Sequence, residues 1–231
     1  MTTTVKPQPI RLSDTVVRRA RIVRGSYDSA KTTDENRRHW SAADSLSADA
    51  AASPTVRQTL RNRARYEIAN NSYALGIALT LANDVVGTGP RLQLLTEDAT
   101  LNHRVERDFM DWSLAVCLPE KLRTMRMARF RDGESFAILA TNPLIDHTVK
   151  LSIDLIEADQ IASPFVSTPA ENEIDGVILD TYGNPVRYRV LKQHPGGQPS
   201  TLGFYDNDFK IIPASAMIHL FRADRPGQHR G

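Results

Sequence analysis

Residues 54–91 read PTVRQTLRNRARYEIANNSYALGIALTLANDVVGTGPR, and the rest of the chain is best understood outward from them. Ser53 can cap free helix amides and Pro54 suits a first turn, so a helix is expected to start there. Val56, Leu60, Ala64 and Ile68 recur every fourth residue, which predicts an apolar helical face. Arg57, Arg61 and Arg65 keep the same spacing on an adjacent face, with Arg63 beside them. That cationic ridge can bind phosphates. It can equally pair with the acidic rear of the chain or with an adjacent subunit. Asn70-Asn71 predicts a break, because asparagine favours caps. From Tyr73 to Val86 the only charge is Asp84, so a second helix is expected in a core or against another helix. Gly76, Ala78 and Ala82 permit close approach. Gly87 can take the left-handed closing conformation and Pro90 prevents continuation. Arg91-Leu92-Gln93-Leu94-Leu95 then alternates as a strand.

Downstream, Leu101, Val105, Phe109 and Trp112 predict one buried face of a helix over about 99–115. Another helix is expected from Pro119, with Leu122, Met125 and Phe130 inward and Lys121, Arg123, Arg126, Arg129 and Arg131 outward. Strands are expected at 135–140, 151–156, 174–179, 186–191, around Ile211-Ile212, and at 216–221. Strands and helices do not interleave. The fold class is therefore α+β, with N-terminal helices packed on a mainly antiparallel sheet.

The 231 residues suffice for a real core, and 41% hydrophobic against 24% charged residues suits a globular protein. No apolar run is long enough for a membrane span, so no membrane partner is expected. The N-terminus has no apolar stretch of the secretory kind. The single cysteine, Cys117, excludes an internal disulfide and a cysteine-based zinc site. Charge is polarised. Residues 1–65 carry 13 Lys/Arg against 6 Asp/Glu, and the remainder 16 against 21. Such a basic front suits nucleic acid or an acidic partner. Residues 1–53 are expected to be a basic, partly flexible arm, with the main domain over 54–231. Within the arm, Arg18, Arg19, Arg21 and Arg24 flank Ile22-Val23, Tyr27 stands out as a large aromatic, and Trp40 and Leu46 offer docking points on a neighbour or on the chain itself.

No catalytic constellation emerges. Gly87-Thr88-Gly89 follows a helix instead of opening one, and no Gly-Lys-Ser/Thr accompanies it, so no nucleotide or other cofactor is expected. Asp154, Glu157 and Asp159 lie close in sequence, as a metal-dependent hydrolase would need, but no lysine accompanies them. An acidic structural or interfacial face is the plainer reading, and no metal is expected. His219 is expected to be a hydrogen-bonded core residue. His194, on a hairpin tip, and His229, in a flexible-looking tail, fit no metal-ligand spacing. The protein is not expected to be an enzyme.

Several stretches, in order, resemble the lambda-like family of tailed-bacteriophage portal proteins. They are RARYEIANNSYALGIALTLANDVVGTGPRLQ, FMDW, MARFRDGESFAIL, LSIDLIEADQI, IDGVILDTYGNPVRYRVL and IPASAMIHLFRADRPGQHRG. The most specific are the arginine-rich helix leading through Asn-Asn to Val-Val-Gly-x-Gly, and the Arg-x-Gly-Gln-x-Arg-Gly ending. The resemblance covers about residues 55–231; residues 1–54 match loosely around Tyr27, Arg38 and Trp40. It implies a homo-oligomeric ring, typically a dodecamer, at one capsid vertex of the virion. Double-stranded DNA passes through its channel. The ring nucleates head assembly in the host cytoplasm, docks terminase and later joins head–tail connector proteins, without catalytic residues of its own. Family members are roughly twice as long, and these residues resemble the wing; stem, clip and tunnel loop are expected to follow it. The resemblance makes Arg57, Arg61, Arg63 and Arg65 candidate subunit-interface or DNA-facing residues. The alternative is a nucleic-acid-binding module that uses the same basic helix.

Overall fold

The computed structural model describes residues 31–164, 172–197 and 208–231. The described residues fall into two units, 31–45 and Leu46–Gly231. In the first, the Thr33 amide donates to Asn36 Oδ1 at 2.7 Å, and His39 meets the Trp40 ring edge-on. Trp40 and Leu46 are both exposed. The expectations for Tyr27 and the arginines of 18–24 lie outside the described residues.

The second unit opens with helices α1 (Ala48–Ala51), α2 (Pro54–Asn70), α3 (Ser72–Val86), α4 (Ala99–Ala115) and α5 (Leu118–Asp132). Strands β1 (Glu134–Thr141), β2 (Leu151–Ile156), β3 (Glu173–Ile174), β4 (Val177–Leu179), β5 (Pro185–Leu191), β6 (Phe209–Pro213) and β7 (Met217–Phe221) follow. They form two antiparallel sheets, ordered β2-β1-β7 and β3-β4-β5-β6. This is the expected α+β class. The central strand β1 sets Phe136 opposite both Ile156 and His219.

Local chemistry explains the breaks. The Asn71 side chain accepts from the amides of Tyr73 and Ala74, so it stops α2 and caps α3 together. Asp98 caps α4 in the same way. Gly133, at φ 85°, ends α5 in the left-handed region and turns the chain directly into β1. Gly89 has φ +96°, and an added Cβ there would lie 2.7 Å from Pro119. Glycine is thus required where the α3 exit passes the start of α5.

Two apolar clusters form the core. Trp112, Val116, Leu118, Met125, Ala137 and Ile153 join α4 and α5 to the first sheet. Phe136, Ile161, Val177, Tyr188, Val190 and Met217 join the two sheets. Each large side chain buried this way contributes about 1.5–3 kcal/mol of transfer free energy.

Several expectations are corrected. Residues 91–95 form no strand; the Leu94 amide donates to the Glu106 carboxylate instead of to a neighbouring strand. Ser53 stands at the α2 N-cap, but its side chain makes no capping bond. Phe130 is exposed, not inward. The tail at His229 is pinned, its amide and ring both bonded to Asp49. Most tellingly, Val56 and Leu60 are exposed, whereas Arg57 and Arg61 are buried. Helix α2 thus turns inward on its arginine face, adjacent to the predicted apolar face, of which Ala64 and Ile68 are half-buried.

Candidate functional site

The spacing that makes a ridge of Arg57, Arg61 and Arg65 aims all three at the body of the fold. Each meets carboxylates carried by other elements. Arg57 reaches Asp175 in the β3–β4 turn and the carbonyl of Ala52. Arg61 pairs with Glu134 at the start of β1 and donates from Nε to the Asp132 carbonyl at 3.2 Å. Arg65 donates to Asp132 Oδ1 at 2.7 Å and lies 2.6 Å from Asp159 Oδ2. Arg63 alone of the group is exposed.

Glu134 is the centre. It is fully buried, yet it takes bonds from several directions. Arg230 Nε and Nη2 donate to it at 2.9 and 2.7 Å, His219 Nε2 at 3.1 Å, and the Gly231 amide at 3.0 Å. Arg230 is itself fully buried and stands over the Phe136 ring, 5.3 Å from its centroid. It also donates to the carbonyls of Ala158, Ile161 and Asp175. The tail that brings it there is bonded to itself: Gln228 accepts from the Asp224 amide and donates to the Arg230 carbonyl.

Electrostatics follow from this crowding. Burial pushes the Glu134 carboxyl up, but the charge of Arg230 and the bonds from His219, Arg230 and Arg61 reverse that and hold it well below the usual carboxylate range. Burial likewise raises Asp159, and Arg65 and Arg61 bring it down. Burial pushes His219 below its ordinary value, against the opposing pull of Glu134. The ring lies between Phe136 and Phe221, with centroids 4.2 and 4.4 Å away. With Nε2–H given to Glu134, its Nδ1 is left to accept from the Tyr188 hydroxyl at 3.4 Å. His219 is thus the bonded core residue that the sequence suggests.

This network has the chemistry of a clamp. Its ions neutralise one another, and Glu134 and Arg230 have no face toward solvent. It ties α2, the end of α5, both sheets and the tail to one point. Arg57 and Arg61 are buried and Arg65 half-buried, and all three pair with carboxylates of the acidic rear of the chain. Sequence reasoning missed Glu134 and Arg230. Their signal lay in the turn Asp132-Gly133-Glu134 and in the Arg-x-Gly-Gln-x-Arg-Gly ending, where charged residues border apolar strands.

Among the described residues, Glu157, Asp159 and His194 bring ligand atoms within 4.8 Å of one another. Asp154 is not with them; it accepts from the Ser152 hydroxyl on β2. Arg65 lies 2.6 Å from Asp159 and 3.6 Å from Glu157, so a guanidinium already supplies positive charge to both carboxylates.

No helix among the described residues is long and apolar enough to cross a membrane. Of the outward surfaces, α3 is the most unusual. It has no charge but Asp84, yet Tyr73 is 84% exposed, Ile77 55% and Val85 65%.

No curated protein matches the chain. The model of the phage portal protein family, lambda family, matches residues 33–231, which takes in the whole network from Arg57 to Arg230. Over that span the chain belongs to the lambda family of phage portal proteins.

Proposed function

We propose that this chain supplies the wing of a portal ring subunit, with residues 54–231 as the wing and 1–53 as its arm. Its role is structural. The ring, dodecameric when the subunit is full length, stands at one capsid vertex, where DNA enters during packaging and leaves on ejection. It nucleates head assembly in the host cytoplasm, docks terminase, and joins the head–tail connector proteins in the virion. The family match carries this reading. The surface supports it: α2 and α3 turn Leu60, Tyr73 and Ile77 to solvent, an apolar area suited to burial against a neighbouring copy. Arg63, exposed on α2, contacts that neighbour in this reading. The subunits then meet through aliphatic and aromatic side chains more than through arginines, because Arg57, Arg61 and Arg65 are engaged within the chain.

Size-exclusion chromatography with light scattering, and electron microscopy, on the full-length protein test the reading. A closed ring is expected, and Tyr73→Asp with Ile77→Asp should shift it toward monomer. A strictly monomeric wild-type protein would sink the proposal.

A further inference from the structure

Helix α5 carries two arginines that the network does not use. Arg126 and Arg129 are one turn apart and half-buried. Neither side chain forms an ion pair or hydrogen bond among the described residues, whereas the neighbouring Arg131 is paired with Asp132. Two like charges at this spacing repel each other. The helix dipole favours Arg129 in the last turn but does nothing for Arg126 a turn earlier.

Both arginines line two adjoining cavities. One, of about 550 Å³, has an aliphatic wall that includes Val85, Val86, Leu122 and Leu220. The other, of about 390 Å³, adds Arg222, Asp224, Gln228 and Gly231. The carboxylate of Asp224 is taken by the mostly exposed Arg222 at 2.7 Å, so it offsets little of the α5 charge. Together these make a groove with an apolar floor and a cationic rim.

We infer that this groove takes a carboxylate-bearing segment of another polypeptide, with an aliphatic side chain seated on the floor. Charge complementarity selects an anionic occupant, because guanidinium–carboxylate pairing is what this chain uses wherever its other half-buried arginines are satisfied. The floor selects a peptide over nucleic acid. A phosphodiester backbone would meet the rim and leave Val85, Leu122 and Leu220 uncovered. The inference goes beyond ring membership and does not depend on it.

The test is fluorescence anisotropy on the full chain with a short labelled peptide of glutamate and leucine. Its glutamine–leucine counterpart and a labelled DNA duplex are run beside it. The acidic peptide should bind and weaken about tenfold for each of Arg126→Ala and Arg129→Ala. The glutamine peptide should bind far more weakly. The double variant Arg126→Glu, Arg129→Glu should instead prefer a lysine–leucine peptide, a reversal that mere loss of structure would not produce. Absence of acidic-peptide binding would overturn the inference. So would binding indifferent to these substitutions, equal binding of the glutamine peptide, or preferential capture of the duplex by the same arginines.

Discussion

Helices α2 and α5 make a natural experiment. Both carry arginines at helical spacing, and both lie near the start of β1. In α2, Arg57, Arg61 and Arg65 point inward and are matched by Asp132, Glu134, Asp159 and Asp175. In α5, Arg126 and Arg129 stand at a groove whose carboxylate, Asp224, is taken by Arg222. The helices do not differ in charge pattern. They differ in what other elements bring to them. A buried arginine is tolerable only when carboxylates and carbonyls replace its water, and α2 has both. Once Arg57, Arg61 and Arg65 are committed inward, Val56 and Leu60 on the adjacent face turn out. One choice thus makes a clamp inside and an apolar surface outside.

The comparison breaks most readily at Glu134. Glu134→Gln leaves Arg61 and Arg230 buried without their shared anion and should cost about 3–5 kcal/mol in denaturant unfolding. A loss under about 1 kcal/mol would show that the ions are not the tie they resemble. Acid should act next. Glu134 and Asp159 titrate below their ordinary values of 4.5 and 3.8 in the folded state, so the unfolded chain takes up protons first as pH falls. Their stabilisation is complete above those values and is lost below them. His219, lowered from 6.5, adds an earlier decline of the same sign. Thermal unfolding should therefore show a plateau above about pH 7, a shallow fall, and then a loss of about 1–3 kcal/mol from about pH 5 to about pH 3. Glu134→Gln should blunt the lower stage. The smallest effect belongs to α5: Arg126→Ala with Arg129→Ala should change stability by less than about 0.5 kcal/mol. A larger loss would place them in the same structural role as the α2 set and remove the contrast.

Much of the fold was legible in the sequence because its signals were local. The Asn70-Asn71 break, the Gly87 stop and the alternation in β2 and β5 each depend on neighbours along the chain. What was not legible depended on distant partners. The face of α2 is set by Glu134 and Asp175, and the strand expected at 91–95 lacks a partner to pair with. Arg230 looked like part of a polar tail because nothing beside it in sequence shows Glu134. The sequence left open whether the α2 arginines face outward or pair with acids further along the chain, because Asp159 and Asp175 are distant from them in sequence. Leu122 and Phe130 show the same limit on α5, where one is half-buried against the core and the other is exposed.

The closing of Arg230 onto Glu134 also sets an order of events. The clamp joins residues 73, 96 and 118 positions apart, through Arg61–Glu134, Arg230–Glu134 and Arg57–Asp175. Such contacts repay their loop-closure entropy only late. As the chain leaves the ribosome, Glu134 waits in β1 for an arginine synthesised almost a hundred residues later. Until Arg230 emerges, the α2 arginines hold an incomplete set of partners, and β7 has not been made to cover β1. Folding of this unit is therefore expected to be gated by its tail.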